Sequence, residues 1–397
     1  MVIRDPNREA SSLYLVTKLV ERVRLGVIGC GVVATRDTLP NLIQPQIAKK
    51  GVELVAVCDT VESRVKETMR LFKAKEMYTD YKEMLEKSDI NAVAVLTPIN
   101  SHYQIAMDSA RAGKHIYVQK AMTTTLQEAN DLLSTVKKMK VKLVASPGQM
   151  HNPSLRLTKK MFDEGLIGNP LWGYIITSSS GHLYEPTDPS WYYKPGGGPL
   201  FSFLVYYVTT FCWILGSVKK VTALSGIAIP TRWWKHKQIN TEMDDSTMIL
   251  MDFDNSTFVS AISNFCAKDV AADSAIYGTR GVIKIPLAAY RSTQHSLIQV
   301  AIYNIIRQIR GRINLSRLKT REWVEWTPPL FKTPQFLATP SGAHIIADIL
   351  EFVDCIIKNR EPTVATGEHA RHVIEVFEKA YISAKTGKTQ LIETKFE

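Results

Sequence analysis

Apolar residues recur along this 397-residue chain in two rhythms, and the change from one to the other divides it. From Val23 to Ser146, short apolar runs alternate with segments whose apolar residues return every three or four positions. "RVRLGVIG", "VELVAVCD", "NAVAVLTP", "KHIYVQK" and "VKLVAS" read as strands. Between them, "RVKETMRLFKA", "YKEMLEKSDI", "HYQIAMDSARAG" and "LQEANDLLSTVKKMK" carry the helical period. Apolar strands alternating with helices predict a parallel sheet with crossover helices, the doubly wound nucleotide-binding architecture.

After about residue 147 the rhythm changes. "PLWGYIITSSS", "KKVTALSGIAI", "DSTMILMDF", "STFVSAISNF" and "SAIYGTRGVIKIP" are strand-like, often alternate, and have few helices between them. That pattern predicts an antiparallel sheet. The expected fold is α/β. An extension (1–22) precedes an N-terminal Rossmann doubly wound parallel sheet (23–146). A C-terminal α+β domain with an open, mainly antiparallel sheet follows (147–340), and two amphipathic helices complete the fold (341–397). The longest uncharged run, "PLFSFLVYYVTTFCWILGS", is only about as long as a marginal membrane span of ~20 residues and contains Ser and Thr, so it reads as a buried helix. "LIQVAIYNII", followed by the basic "RQIRGRINLSRLKTR" (307–321), reads as an amphipathic helix packed on a partner subunit or on its own sheet.

Composition changes this picture little. Hydrophobic residues make up 45% and charged residues 22%, as in soluble globular proteins. The net charge of +11 attracts anions, but no nucleic-acid motif accompanies it, so neither a nucleic-acid nor a membrane partner is expected. The five cysteines are scattered and never spaced as CxxC, which predicts reduced thiols and a cytoplasmic location. The first residues lack the apolar core of a secretory signal.

Candidate chemistry begins at Gly29-Cys30-Gly31-Val32-Val33-Ala34, a G-x-G-x-x-A turn between a strand and a helix. The first glycine permits the tight turn, and the second lets a pyrophosphate approach the backbone. The helix N-terminus offers free N–H groups to the phosphates. The next strand ends on Asp59, a carboxylate suited to the adenosine ribose hydroxyls and repulsive to a 2′-phosphate, so NAD is expected over NADP. Arg36 and Arg64 stand nearby in sequence and act in the opposite direction. Further on, "YVQKAM" places Lys120 at the end of an apolar strand, where an ammonium needs a partner or a task.

These motifs, in this order, resemble the Gfo/Idh/MocA oxidoreductase family, the glucose–fructose oxidoreductase and inositol dehydrogenase group. The resemblance runs from about residue 23 to the end. Its carriers are "GVIGCGVVA", "VAVCD", "TPINSH", "GKHIYVQKAMTTTLQEA", "FDEGLIGNP", "PGGGPLFSFLVYYVTTFCWILG" and "TGEHARHVIEVFEKAYISAKTG". It implies hydride transfer between a nicotinamide and a sugar, polyol or related carbohydrate, and a homodimer or homotetramer assembled through the exposed face of the C-terminal sheet. It also implies that Gly29, Gly31 and Ala34 form the dinucleotide loop and that Asp59 is the ribose acid. Thr97, Pro98 and His102 match a Thr-Pro-x-x-x-His stretch lining the cofactor. Lys120 matches the lysine of a Glu-Lys-Pro motif, beside the nicotinamide and the substrate hydroxyl.

The chain departs from the pattern where chemistry is done. Gln119 and Ala121 replace the Glu and Pro of that motif. Where many members carry Asp-x-Gly-x-His-x-x-Asp, this sequence has Ser202, Leu204, Tyr206 and Thr209. The histidine-based proton relay is absent, which leaves Lys120 and Tyr206 as candidate catalytic groups. His151, His182 and Tyr193 are candidate substrate contacts. His369 and His372 share a helical face with Glu368, but no further metal ligand accompanies them, so no metal is expected. Two other readings stand beside a dehydrogenase: redox-neutral glycoside cleavage through a transient keto-sugar, and a non-catalytic nucleotide-binding protein.

Overall fold

The computed structural model describes residues 22–267, 271–285, 298–302, 323–326 and 343–396. The first rhythm builds a six-stranded sheet, ordered β3-β2-β1-β4-β5-β6 and parallel throughout. Its strands are β1 (Val23–Ile28), β2 (Val52–Cys58), β3 (Glu76–Tyr78), β4 (Ala92–Val95), β5 (His115–Val118) and β6 (Leu143–Ala145). The strand order reverses between β1 and β4, and in such sheets the crevice at the carboxyl ends of the strands at that point is where ligands bind. The three-residue β3 was not foreseen. It is too short to show a period.

The second rhythm builds a nine-stranded sheet from β7 (Pro170–Ser178), β8 (Lys220–Gly226), β11 (Ser246–Asp252), β12 (Phe258–Asn264), β13 (Ala271–Gly278), β14 (Gly281–Lys284), β15 (Ile298–Ile302), β16 (Trp323–Trp326) and β17 (Gln390–Leu391). It is antiparallel except where β7 lies parallel to β12. A separate hairpin joins β9 (Thr231–Trp234) to β10 (Lys237–Asn240). β15 corrects the expected helix at "LIQVAIYNII": residues 298–302 are extended, because β-branched residues pair with the otherwise open edge of β14. The basic stretch 307–321 lies outside the described residues.

One face of the second sheet is covered. The uncharged run folds as a π-helical turn, Leu200–Leu204, leading into a helix, Val205–Leu215. Both pack with Val221, Ile249, Val259 and the helix Gly367–Thr386 into one core. No helix among the described residues is long and apolar enough to cross a membrane. His369 and His372 serve this packing: His369 stacks on Phe396 with ring centroids 4.0 Å apart, and His372 accepts from the Val218 amide at 3.0 Å.

The helix Ala343–Ile357 follows the sheet domain in sequence but packs on the nucleotide domain. Ile345, Ile346, Ile349, Phe352 and Val353 share a core with Val23, Leu25, Val27 and Tyr117. Hydrogen bonds fix it at the domain junction. Ser146 Oγ and the Gly148 amide donate to Asp348 Oδ2 at 2.9 and 3.1 Å. One turn on, Glu351 stands 3.2 Å from His151 Nε2 and accepts from the backbone at Thr363 and Ala365. Burial alone would raise Glu351, but the bonds from His151 and from those amides outweigh it and hold the carboxyl at about 2. Asp348 gains less, and burial pushes it up to about 7.

A carboxyl raised in the folded state stabilises the fold at low pH and loses that contribution as pH rises through its folded value. Wild-type stability should therefore carry a descending component between about pH 4 and pH 7 that comes from Asp348. Asp348→Asn should flatten that slope in thermal melts across this range. An unchanged slope would show that Asp348 ionises freely in the folded protein.

Candidate active site

The crevice at the carboxyl ends of β1, β4 and β5 is closed by three loops. Gly29 opens the first with φ of 98°, and a Cβ there would meet the Leu96 carbonyl carbon and oxygen at 2.8 Å. Only glycine meets that requirement of the fold. Around Gly31, nothing lies within 4 Å of a built Cβ. Gly31 is therefore not needed for packing, and the open space above it is where a pyrophosphate would lie. Val32 and Val33 are half-buried at the start of the π-helical stretch Val33–Thr38, and Ala34 is buried beneath it. The N–H groups of this first turn lack partners four residues back in the chain, which suits them to an anion.

Asp59 sits at the end of β2 and ties the loop together. Its carboxylate accepts from the Cys30 amide at 2.9 Å and the Val61 amide at 2.9 Å, and pairs with Arg64 at 3.2 Å. An acid fixed in this way at the rim of the loop suits ribose hydroxyls, and Arg64 neutralises part of its repulsion toward a 2′-phosphate. Arg36 is occupied elsewhere, in a two-pronged pair with Asp37 at 2.9 and 2.8 Å.

The second loop follows β4. Thr97 and Pro98 lie at its surface, and Thr97 Oγ1 accepts from Ser101 at 2.8 Å. His102 does not reach the crevice. It is wholly buried, with Nε2 at 2.8 Å from the Thr97 carbonyl and Nδ1 at 2.7 Å from the Ala121 carbonyl. It joins the loop after β4 to the loop after β5, and burial holds its pKa below the usual imidazole value despite both carbonyls.

The third loop carries Gln119 and Lys120. Gln119 is buried. It donates to the Tyr117 hydroxyl at 3.2 Å and accepts from the Lys120 amide at 3.0 Å, so it shapes the turn from below. The Lys120–Ala121 peptide is cis. The threonines that follow cap the next helix: Thr125 and Glu128 form a reciprocal capping box, and Glu128 also accepts from Thr124.

Lys120 Nζ crosses to the other domain and donates to the Ser202 carbonyl at 2.7 Å. It lies 5.0 Å above the Tyr206 ring. The residue as a whole is half-buried, the amine is enclosed, and burial alone lowers its pKa to about 8. The ammonium sits over the face of the Tyr206 ring, which attracts a cation through the ring quadrupole. The turn carrying Tyr206 is held by Gln149, whose side chain donates to the Tyr206 carbonyl and to Thr210 Oγ1.

The other expected contacts lie elsewhere. His182 is buried in an aromatic stack against Tyr192 at 3.5 Å and Phe203 at 5.0 Å. Tyr193 is buried beside it, accepts from the His182 amide at 2.9 Å and lies beneath Arg232. Both are core residues of the loop region. His151 is engaged by Glu351 and by Arg156, which stands 3.2 Å from its Nδ1. Lys120 and Tyr206 thus come together, while His151, His182 and Tyr193 are each engaged by other groups. Sequence reasoning missed His344, whose ring meets Tyr206 edge-on at 5.9 Å. No local motif marks a residue that only the return of a distant helix brings to the site.

Residues 23–146 match the oxidoreductase family with an NAD-binding Rossmann fold, and residues 155–284 match the GFO/IDH/MocA C-terminal domain. The chain belongs to the Gfo/Idh/MocA oxidoreductase family. It is 27% identical over 277 residues to Oxidoreductase P35 of Formosa agariphila, a match covering 68% of this chain and 81% of that protein. Levoglucosan dehydrogenase of Pseudarthrobacter phenanthrenivorans is 23% identical over 287 residues, covering 66% of this chain and 73% of the relative. The scyllo-inositol 2-dehydrogenase (NAD(+)) of Bacillus subtilis is 26% identical over 205 residues, covering 52% and 57%. A solved levoglucosan dehydrogenase in complex with NADH and levoglucosan shares the fold at a TM-score of 0.77, with 20% identity, covering 94% of this chain and 100% of that one. As a Gfo/Idh/MocA member, the chain has a cradle whose open space over Gly31 fits a nicotinamide dinucleotide.

The two glycines should separate in mutation. Gly31→Val should abolish NAD binding by calorimetry with little change in melting temperature, whereas Gly29→Ala should lower the melting temperature. NAD affinity retained in Gly31→Val would remove the cradle from this loop.

Proposed function

We propose that this protein is an NAD-preferring dehydrogenase that oxidises a hydroxyl-bearing carbon of a sugar or polyol, with Lys120 as the base. The observation that carries the reading is the enclosed Lys120 amine, held between the nucleotide crevice and Ser202 of the other domain. Levoglucosan, inositol and D-xylose dehydrogenases among its relatives support the substrate class. A bound nicotinamide supplies the hydride acceptor. The chain's own task is to hold the carbinol and take its proton. With its pKa at about 8, Lys120 is partly unprotonated at neutral pH, and it returns to the Ser202 carbonyl as an ammonium once it has taken the proton. Tyr206 presents its ring to that ammonium and lowers the cost of its burial.

The reading extends to assembly. On the uncovered face of the second sheet, Leu224 pairs with Met248, and Phe258 pairs with Trp172, which stacks on Tyr277 at 4.2 Å. Leu224 is 75% exposed and Leu250 59%, an apolar surface that a second copy of the chain would cover. Light scattering at micromolar concentration should give a dimer or tetramer mass, and a monomer mass would refute this.

With NAD and a panel of sugars and polyols, reduced cofactor should accumulate in step with a keto product. Glycoside cleavage without net reduction would favour the redox-neutral alternative. Because the base must be unprotonated, kcat/KM for oxidation should rise with pH through about 8 and then level. Lys120→Met should retain NAD binding and lose turnover by about 10²–10⁴-fold. Full activity in that variant would reduce the lysine to an anchor.

A further inference from the structure

Four polar side chains meet where the nucleotide sheet packs on the helix Ala343–Ile357, a region otherwise filled by apolar residues. Tyr117 lies in β5 between Ile116 and Val118, with its ring 6.4 Å from Phe352 of that helix. Gln119 leaves the same strand, Ser146 follows β6, and Asp348 belongs to the helix. All four are more than nine-tenths buried. A phenylalanine would fill the place of Tyr117 with no hydroxyl to satisfy, and a buried hydroxyl without a partner is costly. The Tyr117 hydroxyl therefore depends on the polar residues around it.

These side chains form one connected run of hydrogen bonds that starts at the backbone of Lys120. The Lys120 amide donates to Gln119 Oε1 at 3.0 Å. Gln119 Nε2 donates to the Tyr117 hydroxyl at 3.2 Å. That hydroxyl is also bonded to Ser146, and the Asp348 charge acts on it. Ser146 Oγ in turn donates to Asp348 Oδ2 at 2.9 Å, beside the Gly148 amide at 3.1 Å. Ser146 gives its proton to Asp348 and Gln119 gives one of its own to Tyr117, so the phenolic proton is directed at Ser146. Burial first, and then Asp348, raise the Tyr117 pKa well above the usual phenol value, which keeps the hydroxyl a donor at neutral pH.

We propose that Tyr117 and Ser146 are positioning residues for Lys120: through Gln119 they fix the turn that carries it, and through Asp348 they tie that turn to the helix at the domain junction. This rests on the dehydrogenase reading, in which Lys120 takes the substrate proton. No proton moves along the run, and its effect is orientation. A carboxamide has an accepting end and a donating end of nearly the same shape. Donation to Tyr117 leaves the oxygen of Gln119 facing the Lys120 amide. The reverse arrangement would set two donors against each other. The run thus selects one orientation of Gln119, and with it the place from which the Lys120 side chain crosses to the Ser202 carbonyl. A connected buried polar network favours one geometry over its alternatives.

The test has two arms, and the first needs no substrate. Backbone amide hydrogen exchange is followed by NMR in the wild type, Tyr117→Phe and Ser146→Ala. Tyr117→Phe keeps the ring against Phe352 and removes only the hydroxyl. In both variants the Lys120 amide should exchange about three- to tenfold faster, the contribution of one buried hydrogen bond. The amides of residues 119 and 146 donate to the Val95 and Val118 carbonyls and should keep their protection. In the second arm, kinetics are measured on whichever sugar or polyol the wild type oxidises. Tyr117→Phe should lower kcat about tenfold, with KM for the sugar and affinity for NAD unchanged. Gln119→Met should lose at least as much, and adding Tyr117→Phe to it should lose nothing further, because residues acting as a unit are not additive.

Equal loss of protection at all three amides would mean general loosening of the fold and would overturn the proposal. So would an unmoved Lys120 amide in Tyr117→Phe. A response to Tyr117→Phe with none to Ser146→Ala would overturn the tie to the helix. Should the wild type oxidise nothing in a broad panel while the Lys120 amide responds as expected, the dehydrogenase reading fails and takes the positioning of a base with it. Turnover with an unchanged kcat in Tyr117→Phe defeats the positioning role alone.

Discussion

The bond from Lys120 Nζ to the Ser202 carbonyl is the contact on which the rest of the site depends. It spans 82 residues of sequence and joins the two sheets' domains at the mouth of the nucleotide crevice. An ammonium in a closed space is costly unless it is solvated by the protein. One carbonyl and the face of Tyr206 offset only part of that cost, so the lysine gives up its proton more readily than an exposed one. The partial satisfaction that makes it a poor structural cation suits it to act as a base near neutral pH.

Much of the surrounding structure serves to hold that amine still. Gln119 accepts from the Lys120 amide from within the core, and His102 ties the next carbonyl to the loop after β4. The threonines of "TTT" stop the turn by capping the following helix. On the opposite side, Gln149 holds the Tyr206 turn, and the glycine run that precedes it packs tightly against Thr124 and Tyr192. A Cβ at Gly196 would meet Thr124 at 2.9 Å and one at Gly197 the Tyr192 carbonyl oxygen at 2.4 Å. The helix Ala343–Ile357 braces the junction through Asp348 and Glu351 and carries His344 to the site.

What the sequence disclosed follows from which constraints are local. The dinucleotide loop was legible because its glycines, strand and acid lie within one βαβ unit, and the structure adds the physical distinction between Gly29 and Gly31. Lys120 was legible as a charge at the end of an apolar strand. His182 and Tyr193 were harder to read, because aromatic and polar residues in a glycine-rich loop look alike in sequence whatever they pack against, and the structure shows both buried, His182 against Tyr192 and Tyr193 bonded to the His182 amide. The strand at 298–302 was read as a helix because five apolar-rich residues show no secure period, and its conformation is set by the open edge of β14. His344 was invisible for a related reason: its helix follows the sheet domain in sequence but packs on the nucleotide domain.

The central claim is that the enclosed amine of Lys120 is a base near neutral pH. Its ionisation is read most directly by a ¹⁵N or ¹³C NMR titration of selectively labelled lysine, with the Lys120 resonance assigned by its loss in Lys120→Met. The account predicts a midpoint near 8, set apart from the other lysines. A midpoint among the surface lysines, near the ordinary value of about 10.4, would contradict it.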